Sequence, residues 1–231
     1  MSAAQIGVFW FRMATSTVEN YLKALLRQEE ETGSTTVGEI AKELAVTPGT
    51  VTTMMKHLEE ENLVVYQPRK SLSLTLEGRA AALKVVRRHR LIELFLVQIM
   101  ELDWSEVHEE AEILEHVISD RLLDRIDRML GEPTHDPHGD PIPDRDGNLV
   151  QFEATPLDEA EGGKYRIVRV SDDDSDLLGW LNQNGLTIGE EFALAHPDRA
   201  AGLLEISRST GAKVQLGIQA AGQVFVEAIS A

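Results

Sequence analysis

Apolar residues follow the helical period through the first part of this chain and the strand period through the last part. From Thr15 to about Glu31, Val18, Tyr21, Leu22, Leu25 and Leu26 share one face of a helix, with Ser16 or Thr17 to cap its start and Gly33 to end it. Val37, Ile40, Ala41, Leu44 and Val46 predict a short second helix behind Thr36. Thr47-Pro48 supplies an N-cap and a proline at the first helical position, so a third helix starts there. It buries Val51, Met54, Met55 and Leu58 and turns Thr50, Thr52, Thr53 and Lys56 outward. Leu63 to Tyr66 and Ser71 to Thr75 then predict two strands around a turn that carries Arg69 and Lys70. A short helix, a tight turn, an amphipathic helix with small polar residues in its first turns and a basic-tipped hairpin make a helix-turn-helix with a wing. That arrangement puts the second helix in the DNA major groove and basic wing residues on phosphates.

Thr75 caps a long helix from Leu76 to about Glu101, and two more are predicted over Trp104 to Ser119 and Asp120 to Leu130. The run Leu91 to Leu102 is more apolar than one solvated helix face needs, so its excess is expected to meet a second subunit. Residues 132–150 hold four of the chain's eight prolines and read as an ordered loop and linker. Beyond Glu153 the pattern is of short strands, Tyr165–Val170, Glu191–Leu194, Leu203–Ile206, Val214–Ile218 and Val224–Ala228, with one helix, Ser175–Gln183. Short strands with Gly-rich turns predict a small β-barrel. The expected fold is multi-domain and mainly α in its N-terminal part, with a winged helix-turn-helix at 14–80, a helical metal-binding and dimerisation domain at 81–150, and an SH3-like β-barrel at 151–231. Residues 1–12 are apolar without a surrounding periodic segment and read as an arm ahead of the first helix.

Composition narrows the chemistry. There is no cysteine, so thiolate metal sites and disulfides are excluded and any ion must take nitrogen and oxygen donors, as Mn, Fe(II), Co, Ni or Zn can. A net charge of −17 argues against nucleic acid for the whole chain, but its distribution reverses that reading. Residues 1–100 carry 12 Lys and Arg against 11 Asp and Glu, and residues 101–231 carry 10 against 28. Between 65 and 90 there are seven basic residues and only Glu77 on the acidic side. No apolar run reaches the ~18 residues of a membrane span and no secretory signal is apparent, so a cytoplasmic protein with no membrane partner is expected.

Metal chemistry enters through spacing. His89 and Glu93, His108 and Glu112, and Glu112, Glu115 and His116 each share one face of a helix, three or four residues apart. Two such faces opposed make a divalent-metal site. A hydrolytic metal enzyme is the remote alternative; neither a nucleophile nor an oxyanion motif accompanies the cluster. Another alternative is a regulator whose metal is structural and senses nothing. The SH3-like module could also bind proline-rich segments, including the chain's own residues 132–143, although its low aromatic content argues against an aromatic-lined groove.

Five segments together, Val46 to Val51, Leu74 to Arg79, Arg88 to Glu93, His108 to Asp120 and His138 to Pro143, resemble the diphtheria-toxin-repressor family of metal-dependent transcriptional regulators. That family includes iron-dependent repressors and manganese-transport regulators, and the resemblance covers roughly residues 14–231. It implies a homodimeric repressor of operator DNA that controls metal-ion homeostasis. By this resemblance Glu112, Glu115 and His116 fall on ligands of a primary, activating site, with Asn20 where the family has Met or Asp. His89, Glu93 and His108 fall on an ancillary site, to which the acidic cluster after Val170 adds Asp174. Thr47, Gly49, Thr50, Thr52 and Thr53 fall at positions that face bases or phosphates. Iron-responsive members place a cysteine where Glu112 stands and manganese-responsive ones a glutamate, and a hard carboxylate favours manganese. Lys23 stands where manganese regulators can carry a second carboxylate, which argues against a two-ion cluster.

Overall fold

The computed structural model describes residues 3–229 apart from 34, 68–70, 151–152, 173 and 196–201, and the side chains of the first helix from Ser16 onward except that of residue 31. The chain forms two compact units, one of residues 1–89, 113–118 and 143–148, the other of residues 90–112, 119–142 and 149–231.

In the first unit α1 (Ala3–Thr32) runs further back than the periodicity implies: the segment expected to be a separate arm continues the helix. It ends at Gly33, whose φ of +72° suits the residue without a Cβ. Thr36 opens α2 (Val37–Glu43) with a capping box completed by Glu39. The turn to α3 (Pro48–Glu60) passes through Ala45 at φ +52°, and Thr47 Oγ1 accepts from Thr50 N at the start of α3. Val51, Met55 and Leu58 bury the inner face of α3 against a core that includes Leu22, Leu25 and Ile40. β1 (Val64–Tyr66) and β2 (Leu72–Leu74) pair antiparallel, and Leu72 N also donates to Thr35 O, so the wing is stitched to the helical body. Thr75 caps α4 (Leu76–Gln98) through Gly78 N, and this first turn lies so close to the wing that a Cβ on Gly78 would stand 1.8 Å from Leu63 O. These elements form the winged helix-turn-helix.

α4 stops short of Glu101. Glu101 adopts φ +58° and Leu102 N returns to Leu96 O, which reverses the chain. The apolar run after Leu91 does not wait for a second subunit as expected: Leu91, Ile92, Leu94 and Leu96 are buried within the chain, and only Ile99 and Met100 at its end are exposed. α5 (Val107–Leu114) is also shorter than its predicted span. Asp103 bonds Ser105 in a turn before it, and the Leu114 carbonyl accepts from both Val117 N and Ile118 N, which tightens the chain behind it. Glu115 and His116 therefore stand in the turn after α5. α6 (Asp120–Met129) follows, capped by Ser119.

The second unit contains a six-stranded antiparallel sheet in the order β3-β8-β4-β5-β6-β7, built from β3 (Thr155–Pro156), β4 (Gly163–Val170), β5 (Glu191–Leu194), β6 (Leu203–Arg208), β7 (Lys213–Gly217) and β8 (Val224–Ala228). α7 (Ser175–Gln183) and the short α8 (Ile218–Ala221) accompany it. Its core gathers Leu157, Ile167, Leu178, Leu181, Phe192, Leu204 and Val226, and Trp104 packs against it with its indole N–H on Leu178 O. The proline-containing loop is fixed on β4 by backbone bonding, with Val170 N on His138 O. Gly139, at φ +89°, fits there because a Cβ would lie 2.0 Å from Val168 O. This is an SH3-like domain, and the chain's own loop is bonded to its β4 edge.

Candidate metal centre and nucleic-acid interface

Within the first unit α1 and the turn after α5 bring four ionisable side chains together. His116 Nδ1 lies 2.7 Å from Glu19 Oε2 and donates to it, so that in the neutral imidazole the other ring nitrogen carries the lone pair. That Nε2 is buried, has no hydrogen-bond partner among the described residues and lies 3.4 Å from Glu115 Oε1. Asn20, next to Glu19 on α1, likewise has its carbonyl oxygen buried without a partner. Glu115 is fully buried; His89 Nδ1 stands 2.6 Å from Oε2, and Lys23 Nζ is 2.9 Å from Oε1 and 3.1 Å from Oε2. Burial alone raises the Glu19 carboxyl, but hydrogen bonds from His116 and Arg88 outweigh it and hold the group below its ordinary value.

A second cluster lies in the other unit, around the buried Glu93 of α4. Glu93 Oε1 is 3.3 Å from His108 Nδ1, and Asp172 Oδ2 is 3.4 Å from the same nitrogen. His108 Nε2 lies 3.8 Å from Glu112 Oε1 on α5. The bond to Asp172, then that to Glu93, push the imidazole pKa up to about 10 against the opposing effect of burial. On the other side of Glu93, Asp136 and His138 each offer a ligand atom within 4.8 Å of it and of each other. His138 Nε2 donates to Trp104 O at 2.8 Å, and the ring stacks on Trp104, so Nδ1 is aimed inward and lies 3.9 Å from Glu93 Oε2. Burial, then repulsion from Asp140 and Glu93, raise the Asp136 carboxyl well above its usual range.

Buried imidazole nitrogens and an amide oxygen without hydrogen-bond partners, facing carboxylates, are an expensive arrangement in a protein interior unless a cation completes it. The donors are nitrogen and oxygen only, and both clusters fit a divalent transition ion.

Thr47, Gly49, Thr50, Thr53 and Lys56 are exposed on or beside α3 and Thr52 is half-buried. Thr52 and Thr53 donate back to the carbonyls of Pro48 and Gly49, while Thr47 and Thr50 share a 2.9 Å hydroxyl contact. Arg69 and Lys70 lie outside the described residues.

Residues 13–72 match the family described as iron dependent repressor, N-terminal DNA binding domain, and residues 75–144 match iron dependent repressor, metal binding and dimerisation domain. Residues 155–228 match the FeoA domain. The diphtheria toxin repressor of Corynebacterium efficiens is 36% identical over 186 residues, 76% of this chain and 81% of that protein. The chain belongs to the diphtheria toxin repressor family. Members of this family are DNA-binding, metal-dependent transcriptional repressors and not enzymes. The family member IdeR of Mycobacterium leprae, an iron-dependent repressor, is 35% identical over 156 residues, 68% of this chain and 65% of its own length. Among solved family structures, a manganese-dependent transcriptional repressor in complex with manganese superposes with a TM-score of 0.86 at 36% identity, over 92% of this chain and 100% of that one. ScaR with bound Zn²⁺ superposes at 0.77 with 37% identity, over 92% of this chain and 99% of its own.

Four placements within this family member differ from expectation, and two of them are Glu112, which faces His108 and was expected at the primary site, and His89, which lies on Glu115 and was expected at the ancillary one. Asp174 does not reach His108; its carboxylate caps α7 by accepting from Leu177 N, and Asp172, two residues earlier, faces His108 instead. Lys23, expected only to be unable to ligate, lies directly on Glu115. Glu19, Asp136, Asp172 and His138 were not singled out as site residues from sequence. Glu19 precedes Asn20 on the same helix, and the motif around His138 was noted without a role for its imidazole.

Proposed function

We propose that this protein is a cytoplasmic, homodimeric repressor whose affinity for operator DNA rises when its primary site holds a divalent ion, Mn(II) in preference to Fe(II), so that it governs metal-ion homeostasis. Co(II), Ni(II) and Zn(II) suit the same donors in vitro. Glu115, His116 and Asn20 of the first unit would hold the primary ion. Glu93, His108 and Asp172, with Asp136 and His138 behind, would hold the ancillary one. The observation that carries the reading is His116: Glu19 fixes its tautomer and leaves a buried Nε2 lone pair beside a buried carboxylate. A bound divalent ion would supply positive charge beside these donors.

The rest follows from linkage. Asn20 belongs to the helix that opens the DNA-binding domain, whereas Glu115 and His116 follow α5, so drawing them together restricts how the reader domains of a dimer are spaced. Half-sites on DNA lie about one or more helical turns apart, and that spacing decides whether both α3 helices dock. DNA and ion then tighten each other's binding by the same factor. Dimerisation is supported by Ile99, Met100, Leu122 and Met129, which are 45–58% exposed in the second unit. No described helix is long and apolar enough to cross a membrane.

Chelated protein titrated with Mn(II), with Fe(II) under anaerobic conditions, and with Co(II) and Zn(II), read by fluorescence anisotropy on its own promoter DNA at fixed salt, tests this. A gain of ~10-fold or more with Mn(II), about 1.4 kcal/mol of coupling, is expected. A second reading, a repressor that does not sense metal, is favoured by the ammonium of Lys23 on Glu115. Equal DNA affinity before and after chelation would select it.

A further inference from the structure

We propose that Lys23 is a tethered counter-ion of the primary site: its ammonium holds the Glu115 carboxylate in the metal-free protein and has to withdraw before a divalent ion can be held there. The inference rests on the reading of Glu115 and His116 as metal ligands. Lys23 Nζ lies 2.9 Å from one oxygen of Glu115 and 3.1 Å from the other, the position in which a chelated cation neutralises a carboxylate. The Glu115 side chain has no exposure to solvent, so it cannot stay ionised without a partner. Lys23 is the charged partner on both oxygens, beside His89 Nδ1 at 2.6 Å from Oε2, and its own side chain keeps 22% exposure.

Charge balance gives the consequence. Around His116 this unit sets two carboxylates, Glu19 and Glu115, against two fixed cations, Arg88 at 3.0 Å from Glu19 and Lys23. The cluster is already neutral, and a divalent charge added beside Lys23 would meet repulsion that the buried site screens poorly. An ammonium is a compact, strongly hydrated charge on a flexible stem, and its partial exposure gives it a path to water. Its withdrawal frees Oε1 of Glu115, leaves Oε2 on His89 and removes one positive charge from the site. Arg88 offers no such release, because its partner Glu19 binds His116 rather than acting as a ligand. Lys23 is thus a specificity-determining residue. It holds the site to one ion and sets a threshold concentration below which the metal-free form persists.

The test uses full-length wild type, Lys23→Met, which keeps the stem and removes the charge, and Lys23→Gln, which keeps a donor for Glu115 should the first variant not fold. Mn(II) binding is followed by electron paramagnetic resonance of the free ion, and thermal unfolding is recorded with and without Mn(II). Both substitutions should tighten Mn(II) binding, Lys23→Met by ~10-fold or more. The metal-free variants should melt below wild type and recover more than wild type does when Mn(II) is added. Binding no tighter than wild type in either variant, while His116→Ala still weakens it, would overturn the role of Lys23 alone. Binding that His116→Ala does not change in any of the proteins would overturn the metal assignment, and this inference with it.

Discussion

Glu19 and His116 are joined across 97 residues of sequence by a 2.7 Å hydrogen bond that decides which ring nitrogen of His116 is available to a ligand. The carboxylate accepts a hydrogen bond from Nδ1–H, and Nε2 is left buried without a partner among the described residues. Carboxylate-oriented imidazoles are better donors because tautomer and ring angle are set before binding.

Glu19→Ala should therefore weaken Mn(II) binding by ~10- to 100-fold while α1 stays folded. Circular dichroism checks the fold and calorimetric titration the affinity. Unchanged affinity would mean that His116 is oriented by something other than Glu19.

His108 ties metal binding to pH. Its folded pKa is raised to about 10, so at neutral pH the metal-free imidazole is protonated and must lose that proton to act as a ligand. About one proton per chain should be released on ancillary-site binding at pH 7, and none near pH 11. Calorimetry in two buffers of different ionisation enthalpy counts it, and His108→Ala should abolish that release. The sign for stability is opposite. A raised histidine pKa stabilises the metal-free fold fully below the unfolded value of ~6.5, and the contribution fades as pH rises through about 10. Metal-free protein should lose melting temperature over that window and His108→Ala should lose less of it.

Several elements could be read from sequence because their ends are local chemistry. α3 begins at Thr47-Pro48 and α7 ends at Asn184-Gly185, both fixed by caps a few residues long. The strands Glu191–Leu194 and Val224–Ala228 are short alternating runs between turns. The site was only partly legible, for the complementary reason. Helical spacing pointed to His89, Glu93, His108 and Glu112, yet Glu19 meets its histidine across a tertiary contact that no period encodes. Asp136 and His138 lie in a turn-rich loop without periodicity, and their inward aim depends on Trp104 and the β4 edge. Asp174 and Asp172 compete for the same role in sequence, and an N-cap claims Asp174. The fate of Leu91 to Leu96 was misjudged because one apolar run cannot say whether its cover comes from the same chain or another.

The reader helix makes a separable prediction. Lys56 is exposed on α3, and Lys56→Ala should weaken binding about equally on all sequences and lower the slope of log affinity against log salt by ~1, as for a lost phosphate contact. Thr47→Ala should instead cost about 1 kcal/mol of stability, because its hydroxyl caps Thr50 N. Chemical denaturation and salt-dependent anisotropy distinguish the two effects. A salt slope unchanged by Lys56→Ala would move the phosphate contact elsewhere.

The loop that carries Asp136 and His138 is held to β4 through Gly139, which has both a positive φ and a carbonyl 2.0 Å from any added Cβ. Gly139→Ala should destabilise the protein by about 2 kcal/mol or more. It should also weaken the ancillary site without affecting metal responses that depend on His116. A variant as stable as wild type would show that the loop tolerates a shift away from Val168.

Asp136 separates a metal ligand from a packing group. One of its oxygens accepts from the backbone N–H of His138 and of Asp140, both at 2.9 Å, and the other stands 3.5 Å from Arg90 and within reach of the Glu93 cluster. Asp136→Asn keeps the first oxygen as an acceptor, so the loop conformation should survive. What changes is the charge near Glu93. If Asp136 serves an ion, the substitution should weaken one class of Mn(II) binding by ~10-fold and leave the His116-dependent class intact. If it only neutralises Arg90, both classes should be unchanged. The buried carboxyl, held above its usual range by burial and by Asp140 and Glu93, makes the first outcome the expected one: an ion would relieve the repulsion that Arg90 alone does not offset.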